Sequence, residues 1–547
     1  MNHRINAALL AATLLISGTS CSDFLKEDMQ RYTGPDKSYT NTHGFDVAAT
    51  GIYAYARDEF NTWGGTTGEY AFSHGQACPY EMFQVATDIV HQGKATNDGS
   101  LSPFENLSYT PTTTFVVSYW RWGYGLIAQC NLLLEYSEKD NVKWDQPTDK
   151  EYYQAVARFF RAYAYRYLVY LYGDVPYVDK VEQDGYRLDF TRTPQAEVLG
   201  HIIDDLTFAA DKLPEDPEKA GDGKLTKWAA LHLLSEMYIM AGKYEEAEKA
   251  ADAVINSKYY KLMDTRFGAK KNEPGDPFYD MFTENNQNRK SGNDESIFVF
   301  QLEYNTSGGG GTNEDWTRRA WNPRYWDDKN FTLADTLGGR GLAQIVPLQW
   351  WIGHDDTSTF YDAGDIRNSE FNIKRHWYYN QPDSTSTFGK LAPITDATWA
   401  ANTRYPVITK FFYGRNEDLT YTGNNKDRIK FRLAETYLLK AEACIRDNKP
   451  DEAAKAINEV RKRAHATEIT ASQATMDFLL DERIRELVGE ELRRFTLRRN
   501  SEYWLPRVKK YNEYVKGMDE HHFLLPVPKN IIDSNTGAKF PQNPGYE

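Results

Sequence analysis

The segment LLSEMYIMAGKYEEAEKAADAVI, beginning at Leu233, returns far downstream as LLKAEACIRDNKPDEAAKAINEV, beginning at Leu438. In the alignment Leu233 meets Leu439, Glu236 meets Glu442, Gly242 meets Asn448, Ala247 meets Ala453, Ala250 meets Ala456 and Val254 meets Val460. Alanines at these places let two antiparallel helices approach closely, and Gly242 or Asn448 takes the turn between them. One such hairpin cannot bury its own apolar face, so the repeat implies a stack of hairpins of the tetratricopeptide type. The expected class is mainly α: a helical-hairpin scaffold.

Other segments fit that scaffold. DVAATGIYAYARDEF has the spacing of a helix start, and VVSYWRWGYGLIAQCNLLLEYSE is apolar on most faces. In EYYQAVARFFRAYAYRYLVYLYGDVPY, Gln154, Arg158 and Arg161 form one narrow polar stripe, which places this helix deep in the core. Gly173, with Pro176 close behind, ends it. Between the repeats, residues 259–427 turn to Gly, Asn, Asp and aromatics with little helical period. Within them SIFVFQLEY alternates like a strand and SGGGGTNEDW reads as a loop. The expectation is a long, irregular, loop-rich sub-lobe with a few short strands, set in one body over residues 44–547. Irregular segments of such length are commonly where binding occurs.

The N-terminus carries a different signal. Arg4, an apolar stretch from Ala7 to Ile16 and the small residues Ser17 to Ser20 have the layout of a secretory leader over residues 1–20. The apolar stretch is shorter than the ~20 residues that span a bilayer. Cys21 follows directly, and its position reads as a lipidation site, with residues 21–43 as a tether. Gly18 stands where lipoprotein leaders usually have an apolar residue, and ordinary cleavage near Ser20 is the competing reading. Cys78, Cys130 and Cys444 have no CxxC spacing and read as small buried hydrophobes. A net charge of −14 argues against a nucleic-acid partner, which demands clustered Lys and Arg.

Catalytic motifs are missing: no GxSxG, HExxH, Walker-type GxxxxGK[ST] or strand-to-helix GxGxxG is present, and no cofactor or metal is expected. His521 and His522 are adjacent and lack the spacing of a helical metal pair. The positive signal is aromatic. Trp316, Trp321, Tyr325 and Trp326 lie in NEDWTRRAWNPRYWDD, interleaved with Arg318, Arg319, Asn322 and Asp327. Sugar rings stack their C–H faces on indole and phenol, while their hydroxyls need Asn, Asp and Arg partners. The competing reading is a loop folded over its own tryptophans. An earlier stretch adds Trp63, flanked by Gly64 and Gly65, with Tyr70, Asn97 and Asp98. The candidate ligand-binding residues are therefore Trp63, Tyr70, Asn97, Asp98, Trp316, Arg319, Trp321, Tyr325 and Trp326, whereas Trp350 and Trp351 read as core.

The chain resembles the SusD/RagB family of outer-membrane nutrient-binding lipoproteins. CSDFL, RFFRAYAYRYLVYLYGDVPY, TPQAEVLGHIIDDLTFAADKLP, FRLAETYLLKAEACIRD, DERIRELVGEELRRFTLRR and LLPVPKNIIDSNTGAKFPQNPGY carry the resemblance in order along nearly the whole length. Departures occur at Glu490-Glu491-Leu492-Arg493 and Thr496-Leu497-Arg498-Arg499, both in the scaffold. The resemblance implies a protein held by Cys21 on the outer face of an outer membrane. It would cover a SusC-type TonB-dependent transporter as a lid and deliver oligosaccharides to the barrel without breaking bonds. A peptide or other nutrient as cargo, and a surface glycoside hydrolase, stay open as alternatives. No family motif assigns binding residues here, so the site rests on the aromatics.

Overall fold

The computed structural model describes residues 34–60, 79–93, 101–182, 187–304, 306, 309, 315–355, 358–413, 419–420 and 423–546. Its helices of seven residues or more are α1 (Thr42–Arg57), α2 (Thr114–Ser137), α3 (Asp149–Tyr172), α4 (Gln195–Lys212), α5 (Lys227–Met240) and α6 (Tyr244–Ile255), then α7 (Leu433–Arg446), α8 (Pro450–Arg463), α9 (Met476–Leu487), α10 (Arg493–Arg499) and α11 (Ser501–Tyr511). From α2 to α8 each packs on the next, and α6 meets α7 across the whole intervening insert. The chain is thus a mainly helical stack of hairpins, as the repeat requires.

The two repeats turn in the same way. Gly242 has φ +72° and Asn448 φ +56°. Lys243 N–H bonds the Tyr238 carbonyl at 2.9 Å and Lys449 N–H bonds that of Cys444 at 2.8 Å, closing both helices with the same six-residue wrap. Ala247, Ala250, Ala453 and Ala456 are buried at the contacts, as expected for close approach. Cys130 and Cys444 are free and buried, in keeping with their reading as hydrophobes, whereas Cys78 lies outside the described residues.

Helix α3 is buried along nearly its whole length, and its polar stripe meets partners, with Arg158, the least buried of the three, 3.7 Å from Asp205. Gln154 donates to Ser137 Oγ and Glu138 Oε1. Arg161 makes a two-pronged bond to Asp205 at 2.8 Å on both sides. Arg166 pairs with Glu236 at 2.8 Å. Gly173, at φ +73°, then ends the helix.

The strands are short and all in two-stranded antiparallel pairs among the described residues. Ser296–Phe300, inside the segment expected to alternate, pairs with Arg428–Arg432 and ties the two ends of the insert together. Val90–Gln92 pairs with Ile345–Pro347. The insert is anchored by its large rings: Trp321, Tyr325, Trp351 and Trp377 are buried in the same core as α1 to α5. Only a small cluster, Met263, Phe267, Phe278 and Met281, forms a core of its own there.

Charged side chains bind the C-terminal helices to this core. Arg432 contacts Glu295, Glu486 and Glu490, and Arg367 contacts Asp365, Glu482 and Glu486, with both arginines nearly sealed from water. Asp88 accepts from Arg493 at 2.7 and 2.8 Å and from Arg507 at 2.6 Å. Burial alone would raise its carboxyl, but these two guanidiniums override burial and hold it well below the ordinary carboxylate range. Glu491, where the chain departs from the pattern it resembles, accepts from Arg483, Arg493 and Thr496 and so belongs to the same network. Asp88→Ala leaves two buried guanidiniums without their carboxylate and is expected to lower the unfolding free energy by about 3–5 kcal/mol in denaturant titration. Asp533→Ala, which removes an exposed pair with Lys529, is the control and should change nothing measurable.

Glu81 behaves in the opposite sense. Its carboxyl is wholly buried, and burial pushes it up from 4.5 to about 8, with nearby Asp315 adding to the rise and Arg428 and Trp321 opposing it. Below pH 4.5 it is protonated folded or unfolded; between 4.5 and 8 only the unfolded chain ionises, so stability falls as pH rises and levels off above 8. Glu81→Gln should therefore leave Tm unchanged at pH 4 and raise it at pH 8, with the gain growing between. A gain of equal size at both pH values would show that the carboxyl titrates in the fold as it does in the unfolded chain.

Candidate functional site

The stretch with the densest aromatics folds as a short helix, Thr317–Trp321, and a single turn, Tyr325–Asp327, joined by Asn322 to Arg324. Asp315 starts the helix: its carboxylate accepts from the Thr317 N–H at 2.8 Å and from Arg428 at 3.2 Å. A strap, residues 337–342, then crosses this unit. Asn322 Nδ2 donates to the Leu337 and Gly339 carbonyls, Arg318 donates to those of Gly338 and Arg340, and the Leu342 N–H bonds the Arg319 carbonyl at 2.8 Å. Gly339 is held at φ +69°, and a Cβ there would meet Arg318 Nη1 at 2.5 Å, so the strap lies this close only with glycine.

This packing divides the predicted aromatics into two kinds. Trp321 and Tyr325 are 1% and 0% exposed, and as an open stacking face the expectation fails for both. Trp321 lies in the core beside Phe411, with its carbonyl taking the Tyr405 hydroxyl. Tyr325 donates its hydroxyl to the Gly339 carbonyl at 2.9 Å and packs on Phe331 and Trp377. For Tyr325 the reason is amphipathic, since a phenol whose polar edge finds a carbonyl gains from burial. The Trp321 indole N–H is instead sealed from water without a carbonyl acceptor, beside buried Glu81, and its ring is held by apolar packing. Trp316 and Trp326 differ, because both are only partly buried at the edge of the core, although the Trp316 Nε1 is itself sealed from water. Trp326 Nε1 donates to the Gly341 carbonyl at 2.9 Å, which fixes the plane of its ring.

Guanidiniums flank the two rings. Arg319 lies 4.8 Å from the Trp316 ring centre, and Arg340 and Arg324 lie 4.8 and 5.6 Å from that of Trp326. Arg324 is paired with Asp327 at 2.8 Å. Arg319 is 3% exposed, and its Nε is sealed from water without an acceptor. Burial, then the like charges of Arg318 and Arg340, push its guanidinium down to about 9. Arg340 was not among the expected residues. The one trace of it in the sequence is its setting, Gly338-Gly339-Arg340-Gly341, a cation held between glycines.

Trp63, Tyr70, Asn97 and Asp98 lie outside the described residues, as does Cys21. The described chain next to the second of these segments ends beside the strap, where the Gly93 N–H bonds the Gln344 carbonyl at 2.9 Å. Trp351 is buried and Trp350 half-buried, and their indole N–H groups bond the successive carbonyls of Ile89 and Asp88, in keeping with a packing role. Asp519, His521 and His522 bring ligand-type atoms within 4.8 Å of one another, but Asp519 and His522 spend theirs capping the turn Glu520–Phe523. A separate cavity of about 670 Å³ opens between α2, the arm after α3 and the C-terminal turn, lined by Tyr55, Trp120, Tyr124, Phe190 and Phe540. Trp120 and Tyr124 stand one helical turn apart in a segment whose apolar residues face most directions, so their spacing did not single them out.

Residues 278–546 match the SusD family, and residues 65–239 match a family described as starch-binding, associating with outer membrane. SusD-like proteins P25 and P2 of Formosa agariphila are 23% and 26% identical, each over 97% of this chain and over 97% and 98% of their own. Among solved structures, a SusD superfamily protein from Parabacteroides distasonis superposes with a TM-score of 0.69 at 19% identity, covering 94% of this chain and all of that one. Surface glycan-binding protein A from Bacteroides thetaiotaomicron, in complex with laminarihexaose, superposes with a TM-score of 0.68 at 20% identity, covering 92% of this chain and all of that one. With a similar mainly helical fold in these structures and two family matches, over residues 65–239 and 278–546, the chain belongs to the SusD/RagB family.

Proposed function

We propose that this protein is a cell-surface, lipid-anchored glycan-binding subunit of an uptake system. It captures an oligosaccharide on the platform of Trp316 and Trp326 and passes it unchanged to a SusC-type TonB-dependent transporter. The carrying observation is the pair of partly buried indoles at the edge of the core, each with a guanidinium within 4.8 Å of its ring. An indole face offers a sugar the apolar surface it needs, and adjacent N–H donors satisfy hydroxyls that would otherwise lose water. The likeness to a solved glycan-binding protein carrying laminarihexaose supports the same ligand class for this chain. The match to a family associating with outer membrane supports the location, and Cys21 is the anchor in this reading.

Capture without bond cleavage is favoured by the state of the local carboxylates. Hydrolysis of a glycoside needs two carboxyl groups ~5–9 Å apart on the walls of a cleft. Glu81, the one carboxyl near this unit held up to about 8, is sealed beneath it and cannot reach a bound sugar. Asp315, Asp327 and Asp328 are paired with Arg428, Arg324 and Arg404. Loading and release then depend on protein contacts, and the tether keeps the lid at high local concentration over its barrel.

Trp316→Ala and Trp326→Ala should each weaken binding of a retained polysaccharide about tenfold in affinity electrophoresis or calorimetry, with Tm lowered but the protein still folded, since both rings also pack on the core. Unaltered affinity in both would remove the platform from the site. Cys21→Ala should move the protein from the membrane fraction to the soluble one without altering its sugar affinity in solution.

A further inference from the structure

We infer that the sugar polymer taken at this platform is anionic, carrying carboxylate or sulfate groups that seat against Arg319 and Arg340. This rests on the glycan-capture reading above and narrows it. The observation behind it is a broken rule. Every other arginine sealed to this depth among the described residues donates to a carboxylate or a carbonyl, Arg161 to Asp205, Arg493 to Asp88, Arg318 to Gly338 and Arg494 to His522 being typical; Arg498, whose Nε likewise lacks an acceptor, is more exposed. Arg319 is buried to the same depth, yet among the described residues its guanidinium has neither a hydrogen-bond acceptor nor an ion pair, only the face of Trp316. Arg340 has no carboxylate partner there either and rests on Trp326.

A buried charge without a partner is costly, and proteins retain one chiefly where a ligand completes it. The neighbours make the deficit sharper, since Arg318 and Arg340 both repel Arg319. General attraction for polyanions is no substitute, because the whole chain carries −14 and repels them at a distance. A guanidinium fork matches a planar carboxylate or two sulfate oxygens, and the flanking indoles take the sugar rings that bear them. The strap carries Arg340 and the helix Thr317–Trp321 carries Arg319, and the two cations are close enough that their charges repel.

The test uses the soluble body against four polymers: polygalacturonate, the same polymer with its carboxyls reduced, a sulfated galactan and neutral laminarin. Retention by polygalacturonate or by the sulfated galactan, falling steeply between 50 and 300 mM salt, is expected, and which of the two is retained names the anionic group. The reduced polymer should not be held. Arg319→Met should lower that affinity at least tenfold while raising Tm, because it removes an unpaired buried charge. Arg340→Ala, at a half-buried side chain with no ion pair, should lower affinity without changing Tm. Retention by laminarin with neither anionic polymer held would overturn the anionic reading and leave glycan capture standing. Silence toward all four would overturn both.

Discussion

The irregular segment from Gln84 to Ile89, between the turn Pro79–Phe83 and the strand Val90–Gln92, lies in the interior without secondary structure to absorb most of its backbone groups, and the C-terminal helices supply what it lacks. The Ala86 carbonyl takes the Trp504 indole, the Thr87 and Val90 carbonyls take Asn512 Nδ2, and the Asp88 carboxylate takes Arg493 and Arg507. From the insert, Trp350 and Trp351 bond the Asp88 and Ile89 carbonyls. Two parts of the chain, far from this segment and from each other in sequence, are therefore fixed to one buried stretch of backbone. A polar group left unmade here would cost more than its bond contributes, so the fold is determined by completing this set rather than by apolar contact alone.

The same logic explains the density of buried arginine and glutamate behind the helices. Each pair is worth little against an apolar replacement, but removing one partner is expensive. Arg432 reaches Glu295, Glu486 and Glu490 from the strand that closes the insert, and Arg463 on α8 returns to Glu295 and Glu486. Geometry is thus locked between the last hairpin, α9 and both ends of the insert. A platform built on loops needs such a foundation, because positions on a loop are only as well defined as the elements that hold them.

The hairpin stack was legible in the sequence because helical periodicity and the alanine-turn-alanine repeat leave few alternatives. The stop at Gly173, the turns at Gly242 and Asn448 and the strand Ser296–Phe300 followed from local chemistry. The site was legible only in part. In an irregular segment no period tells an inward ring from an outward one, so Trp321 and Tyr325 look the same in sequence as Trp316 and Trp326. What separates them is long-range: Phe411, Tyr405, Trp377 and the strap carbonyls cover the first two. Arg340 and the charge state of Glu81 were hidden for the same reason, since both are set by residues remote in the chain.

Local rules of burial hold almost everywhere in this protein, and the place where one fails is informative. A scaffold that gives Arg161, Arg166, Arg367, Arg432 and Arg493 their carboxylates has the means to neutralise Arg319 as well. Instead the strap brings a second arginine to it, and glycines at 338 and 339 take left-handed backbone so that the approach is close. Such a concentration of like charge lowers stability, and it persists only if the rest of the structure over-determines the fold. The buried set around Asp88 provides that surplus. Stability accumulated in the helical stack is what allows the binding face to remain electrostatically incomplete until an anion arrives.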